Sequence, residues 1–185
     1  MQFDPYAEAK EQGIGVAAER LPLGDAMLLC DQKTIIVDDR ANIRERVAWI
    51  TLGLVRMGLG RDGFRPDKIG VRRLNLACIG IAARKLIDFG DLVRAVRADT
   101  DPLAIADALD VTPAAVYARV AGLSSDKRLL AGELLDTIAW DAHDLSHLYS
   151  YVIYDETGEK RLIRWQFDPS IQHDTVPDLT AFALQ

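Results

Sequence analysis

Two short apolar runs, Ala26–Cys30 and Thr34–Val37, lead into a long apolar helical stripe at 43–59, and a second such run follows at 69–88. Asp31-Gln32-Lys33 is a short polar turn between the first two runs, and the second is β-branched, so the pair predicts a hairpin. Asn42 and Glu45 have the spacing of a capping box that opens the first helix. Ile43, Val47, Ile50, Leu54 and Met57 then recur at helical spacing, and Gly58-Leu59-Gly60 is the expected stop. A polar loop at 61–68 separates the two helices, and Gly90 breaks the second. Such an order calls for helices packed on a small sheet, and the expected class is α+β: helix-rich, with a small antiparallel sheet.

The flanks extend this pattern. Residues 5–19 are Ala-rich with alternating charge and Pro5 near the first turn, which predicts a helix. Short helices are expected at 91–98, 102–109 and 113–122, the last two opened by Pro102 and by Thr112-Pro113. A longer helix is expected over 125–147, with Ser124-Ser125-Asp126 as its cap. Tyr149–Tyr154 and Arg161–Phe167 read as a C-terminal β-hairpin, followed by an extended tail. The expected organisation is a body at 1–135, with a helix end, hairpin and tail at 136–185 packed on it.

Composition narrows the classes. The 185 residues are long enough for a core without staples. Neither an apolar run of membrane-spanning length nor an N-terminal charged-then-apolar signal is visible, so a cytoplasmic protein without a membrane partner is expected. Cys30 and Cys78 lie in apolar surroundings and read as buried free thiols. The net charge of −6 is uneven: −3 over residues 1–55, +6 over 56–98 and −9 over 99–185. The basic middle, with Arg56, Arg72 and Arg73, is a candidate surface for an acidic partner.

Four pieces stand in order along the chain: Leu21-Pro22-Leu23-Gly24 with Thr34–Asp38; Arg44-Glu45-Arg46 with Thr51-Leu52-Gly53 and Gly60; Ala82-Ala83-Arg84-Lys85-Leu86-Ile87; and Ala106–Thr112 with Val116, Arg119 and Leu123. Together they resemble the ImmA/IrrE family of small zinc metallopeptidases of phages and mobile elements. The resemblance covers about residues 12–135 and implies a zincin-like domain. In that family one helix carries H-E-x-x-H, with two imidazoles one turn apart and a Glu that activates water, and the next supplies a Glu ligand. Here those positions are Leu54, Val55, Gly58 and Asn75. Leu, Val and Gly side chains offer no lone pair for zinc. The resemblance therefore implies a chain that kept the fold and abandoned the metal. It would be a non-catalytic protein-binding relative without a cofactor, its partner a phage or mobile-element repressor or a host regulator.

Two other constellations define alternatives. His143-Asp144-Leu145-Ser146-His147 places two of the three histidines four apart, so a helix there would suit a metal-dependent hydrolase. Residues 104–120 have the length and turn position of a DNA-binding helix-turn-helix, with Tyr117 and Arg119 on the second helix. The surrounding 99–136 run holds seven acidic side chains against three basic ones, which opposes duplex binding. Gly58, Gly60 and Gly63 form a G-x-G-x-x-G, but it follows a helix instead of a strand, contrary to a dinucleotide site. Nucleophile-elbow, C-x-x-C and phosphate-loop motifs are absent from the sequence.

Overall fold

The computed structural model describes residues 3–21, 26–61, 68–140, 150–154 and 160–164, with backbone alone at 60–61, 68–76, 150–154 and 160–164. Helix α1 (Pro5–Glu11) is capped by Asp4, whose carboxylate accepts from the Tyr6 and Ala7 amides. It ends at Gln12 and does not run on to residue 19. Residues 15–19 instead form strand β1 (Gly15–Glu19). Strand β2 (Ala26–Leu29) and strand β3 (Thr34–Asp38) form the expected hairpin, with Leu28 opposite Ile35.

The sheet order is β1-β3-β2, and β1 runs parallel to β3 with Ala17 opposite Ile36. The three-stranded sheet is therefore mixed where a purely antiparallel one was expected. The helix expected over 15–19 fails for a physical reason. The Gly15 amide donates to the Lys33 carbonyl at 2.8 Å, and the Asp39 amide to the Glu19 carbonyl at 3.1 Å. The partners that decide the backbone conformation lie about twenty residues away, and no local pattern reports them.

Helix α2 (Ile43–Arg61) opens with the predicted capping box. The Glu45 amide donates to Asn42 Oδ1 at 3.0 Å, and the Asn42 amide donates to Glu45 Oε2 at 2.7 Å. The helix runs through Gly58-Leu59-Gly60 without stopping. It is buried on two sides. Ile50, Leu54 and Met57 join Ile35 and Val37 of β3 and Ala9 of α1 in one apolar cluster, while Val55 joins Cys78 and Ala82 of helix α3 (Lys68–Leu86) in another. Ile43, expected on the buried stripe, is 63% exposed at the helix start.

A third and larger cluster gathers helix α4 (Phe89–Ala98), helix α5 (Pro102–Leu109) and helix α6 (Pro113–Ala121). Each starts on a side-chain cap: Asp88, Asp101 and Thr112, with proline in the first turn of α5 and α6. Helix α7 (Ser125–Ala131) is much shorter than the expected 125–147 run. Gly132 adopts φ 57, a left-handed conformation that glycine reaches without a Cβ penalty, and a 3-10 turn follows at Gly132–Thr137. Ser124 holds the N-cap position of α7 but makes no side-chain cap bond. Leu135 and Ile138 are both buried in the α4–α6 cluster, so packing runs through the expected boundary at 135/136. Strand β4 (Ser150–Tyr154) pairs antiparallel with strand β5 (Lys160–Arg164), as the C-terminal hairpin reading requires. The described residues thus form a helix-rich α+β fold. No described helix is long and apolar enough to cross a membrane.

Candidate functional site

The middle of α2 holds three of the four positions where the resemblance would put metal chemistry. Leu54 is 2% exposed, as its place on the apolar stripe requires, and faces the sheet and α1. Val55, one residue on, points to the other side and meets Cys78 and Ala82. Gly58 is exposed and helical. The fourth, Asn75, lies in α3, and its side chain is outside the described residues.

Sequence reasoning passed over the role of Gly53. A Cβ built on it would stand 2.8 Å from Ile35 Cδ1 and 2.9 Å from Leu28 Cδ2. The missing side chain is what lets α2 lie this close to the sheet. Next to it, Thr51 is fully buried, and its hydroxyl donates to the Val47 carbonyl at 2.6 Å. The helix face under the sheet is filled to contact.

Arg56, the one basic candidate with a described side chain, is half-buried at the α2–α3 seam. It does not stand out into solvent. Burial pushes the Cys78 thiol up from its usual range, while the charge and hydrogen bonding of Arg56 pull it back. The two groups therefore sit within reach of each other across the seam. Arg72 and Arg73 lie on α3 with their side chains outside the described residues. Cys78 is buried as expected, but Cys30, expected to be buried, is exposed in the β2–β3 turn.

The second helix of the helix-turn-helix candidate has little free surface. Helix α6, which would have to enter a groove, buries Ala114, Ala115, Val116, Ala118, Arg119, Val120 and Ala121. Tyr117 meets the Trp140 ring edge-on at 5.3 Å between centroids, and Arg119 is 3% exposed and donates through Nε to the Ile87 carbonyl at 2.8 Å. Both side chains offered for DNA contact are engaged within the protein. At the α5 end, Asp107 and Asp110 are tied to Arg44 of α2, the latter at 2.7 Å. His143 and His147 lie outside the described residues. Among the described residues, no group of three or more His, Cys, Asp or Glu is placed to hold a metal.

A second polar site escaped the sequence reading except as part of a motif. Asp38, 3% exposed at the end of β3, accepts from the Leu21 amide at 3.2 Å and from the Arg40 amide, Nε and Nη2 at 2.6–2.8 Å. Arg40 Nη2 also donates to the Leu21 carbonyl at 3.0 Å. The hydrogen bond from the Arg40 side chain, then the two backbone amides, hold the Asp38 carboxyl far below the usual range despite its burial. This clamp ties Leu21 to the end of β3 and the turn that follows it. The only signal for it was an acid ending a strand with an arginine two residues on. No protein-family model, curated protein or solved structure matches this chain.

Proposed function

We propose that this protein is a non-catalytic, protein-binding relative of the ImmA/IrrE peptidases, acting in the cytoplasm in phage immunity, superinfection control or repressor regulation. The observation that carries the reading is the packing of α2. Leu54 and Val55 stand where the resemblance puts a His ligand and the water-activating Glu, and both are buried in apolar clusters. Apolar packing at such positions stabilises by about 25 cal/mol per Å² buried and removes the cost of burying unpaired polar groups. The order of hairpin, capped α2 and α3 supports the same frame. In this reading a repressor or host regulator is held without being cut, by the basic middle segment with Arg56, Arg72 and Arg73.

Capture from an extract of the native host, with the chain as bait, tests the reading. The expected result is an intact partner that is lost when Arg72→Glu and Arg73→Glu are combined. A partner recovered as cleaved fragments would sink it. So would about one zinc per chain in protein never exposed to chelator, together with chelator-sensitive hydrolysis.

A further inference from the structure

Strand β1 pairs on one side only. The Gly15 amide donates to the Lys33 carbonyl, and the Glu19 carbonyl accepts from the Asp39 amide. Along a strand the amide and carbonyl of one residue point to the same side, and successive residues alternate. Gly15, Ala17 and Glu19 therefore face β3, while Val16 and Ala18 turn their backbone groups outward. Among the described residues no strand pairs with that outer side. Sheet edges are commonly blunted by lysine, proline or a bulge. Gly15–Glu19 has none of these, and its register with β3 is unbroken. The other edge strand, β2, has β4 beside it.

We infer that β1 is the seam of a homodimer, in which it pairs antiparallel with β1 of a second copy about a two-fold axis at Ala17. In this register Val16 of one copy lies opposite Ala18 of the other, and the two exchange both backbone hydrogen bonds. The outward groups of β1 are thus self-complementary, as an isologous interface requires. Ala17 meets its own copy on the axis at a non-hydrogen-bonded position, where side chains come closest and a methyl group fits.

The side chains agree with this register. Val16 packs with Ile35 on the α2 face, so Ala17 lies on the opposite face, across from Ile36, which is in turn across from Met27. All three are half-buried. Pairing at the axis joins this apolar row to its copy. Charge agrees as well. Glu19 of one copy falls opposite Gly15 of the other, with Lys33 just beyond it, next to Thr34, the β3 partner of Gly15. Gly15 has no side chain to stand between them. Glu19 and Lys33 are exposed, and among the described residues neither forms an ion pair. Within one copy they sit at opposite ends of the strands, roughly 13 Å apart, too far to pair. A foreign extended peptide would use the same amides without this symmetry of charge and apolar row.

Sedimentation equilibrium of the full chain is the test. One short strand per copy makes a small interface, so a dimer that dissociates on dilution is expected. Ala18→Pro removes an outward amide and spares the bonds to β3; it should weaken the dimer about tenfold or more. Glu19→Lys and Lys33→Glu should each weaken it, and the double variant should restore it. In a Cys30→Ser background, oxidised glutathione should cross-link Ala17→Cys to its own copy, since the axis brings the two Cα atoms within disulfide reach, and should leave Glu19→Cys uncross-linked. If Ala18→Pro does not fold, the charge swap and the cross-link decide. A chain that is monomeric at every concentration overturns the seam. So does a dimer that the charge swaps leave unchanged and that cross-links through Glu19→Cys in preference to Ala17→Cys. Isolation as a one-to-one complex with another protein that protects the Val16 and Ala18 amides from exchange points to a foreign strand and also overturns it.

Discussion

The sheet with α2 and the α4–α6 bundle solve the same problem of burial by opposite means. In the bundle, each helix carries its own start signal, and neighbours in sequence are neighbours in space. Asp88, Asp101 and Thr112 each satisfy amides of the turn they open. In the sheet region the decisive contacts are distant in sequence: β1 pairs with β3 across an intervening strand, and α2 approaches that sheet only because residue 53 has no side chain. The bundle tolerates local error because its information is repeated helix by helix. The sheet region rests on a few contacts that nothing nearby duplicates.

That contrast can be broken most sharply at Leu54. Leu54→Ala should lower unfolding free energy by roughly 2–5 kcal/mol in urea, the range for a leucine lost from a packed core. A loss under about half a kcal/mol would mean that α2 does not anchor to the sheet. Gly53→Val is next, at about 1–3 kcal/mol from overpacking against Ile35 and Leu28. A neutral Gly53→Val in the same urea titration would show that the α2–sheet approach has slack.

Acid sharpens the comparison, since the Asp38 clamp belongs to the sheet side alone. Its folded pKa is depressed, so its contribution is present above the ordinary carboxylate value near about 4 and is lost as pH falls below it. The stability gap between the parent and Asp38→Asn should therefore narrow between about pH 5 and pH 2. A gap that stays constant with pH in this window would assign the effect of Asn to geometry instead of charge. The smallest effect is expected in the bundle. Thr112 Oγ1 accepts from the Ala115 amide at 3.2 Å, and Thr112→Ala should cost about 1 kcal/mol by thermal melting. A cost above that of Gly53→Val would reverse the ranking of the two regions.

The pattern of successes and errors follows the same divide. The α2 capping box, the starts of α5 and α6 at Pro102 and Pro113, and the β2–β3 hairpin were legible because each is written within a few residues. The largest misreading came where local propensity met a distant partner. Residues 15–19 have a helical composition yet complete a sheet. Gly58 and Gly60 look like a stop, but α2 passes through them to Arg61. The 125–147 helix ends early at Gly132. At the candidate site, the burial of Leu54 was legible from its place on the apolar stripe. Its neighbours were not, since spacing alone does not say which side of α2 meets the sheet and which meets α3.

What the sequence by itself determined is the order and type of most elements, their caps, the α+β class and the lack of zinc-binding atoms at positions 54, 55 and 58. These follow from side-chain chemistry and from periodicities of a few residues. Tertiary structure alone decided that β1 joins β3 in parallel, that Gly53 sets the spacing of helix to sheet, and that Arg119 is a core residue and not a surface one. Each of those depends on which atoms approach across tens of residues of chain. Backbone pairing, van der Waals contact and desolvation act at distances of a few ångströms in space, whatever the separation in sequence.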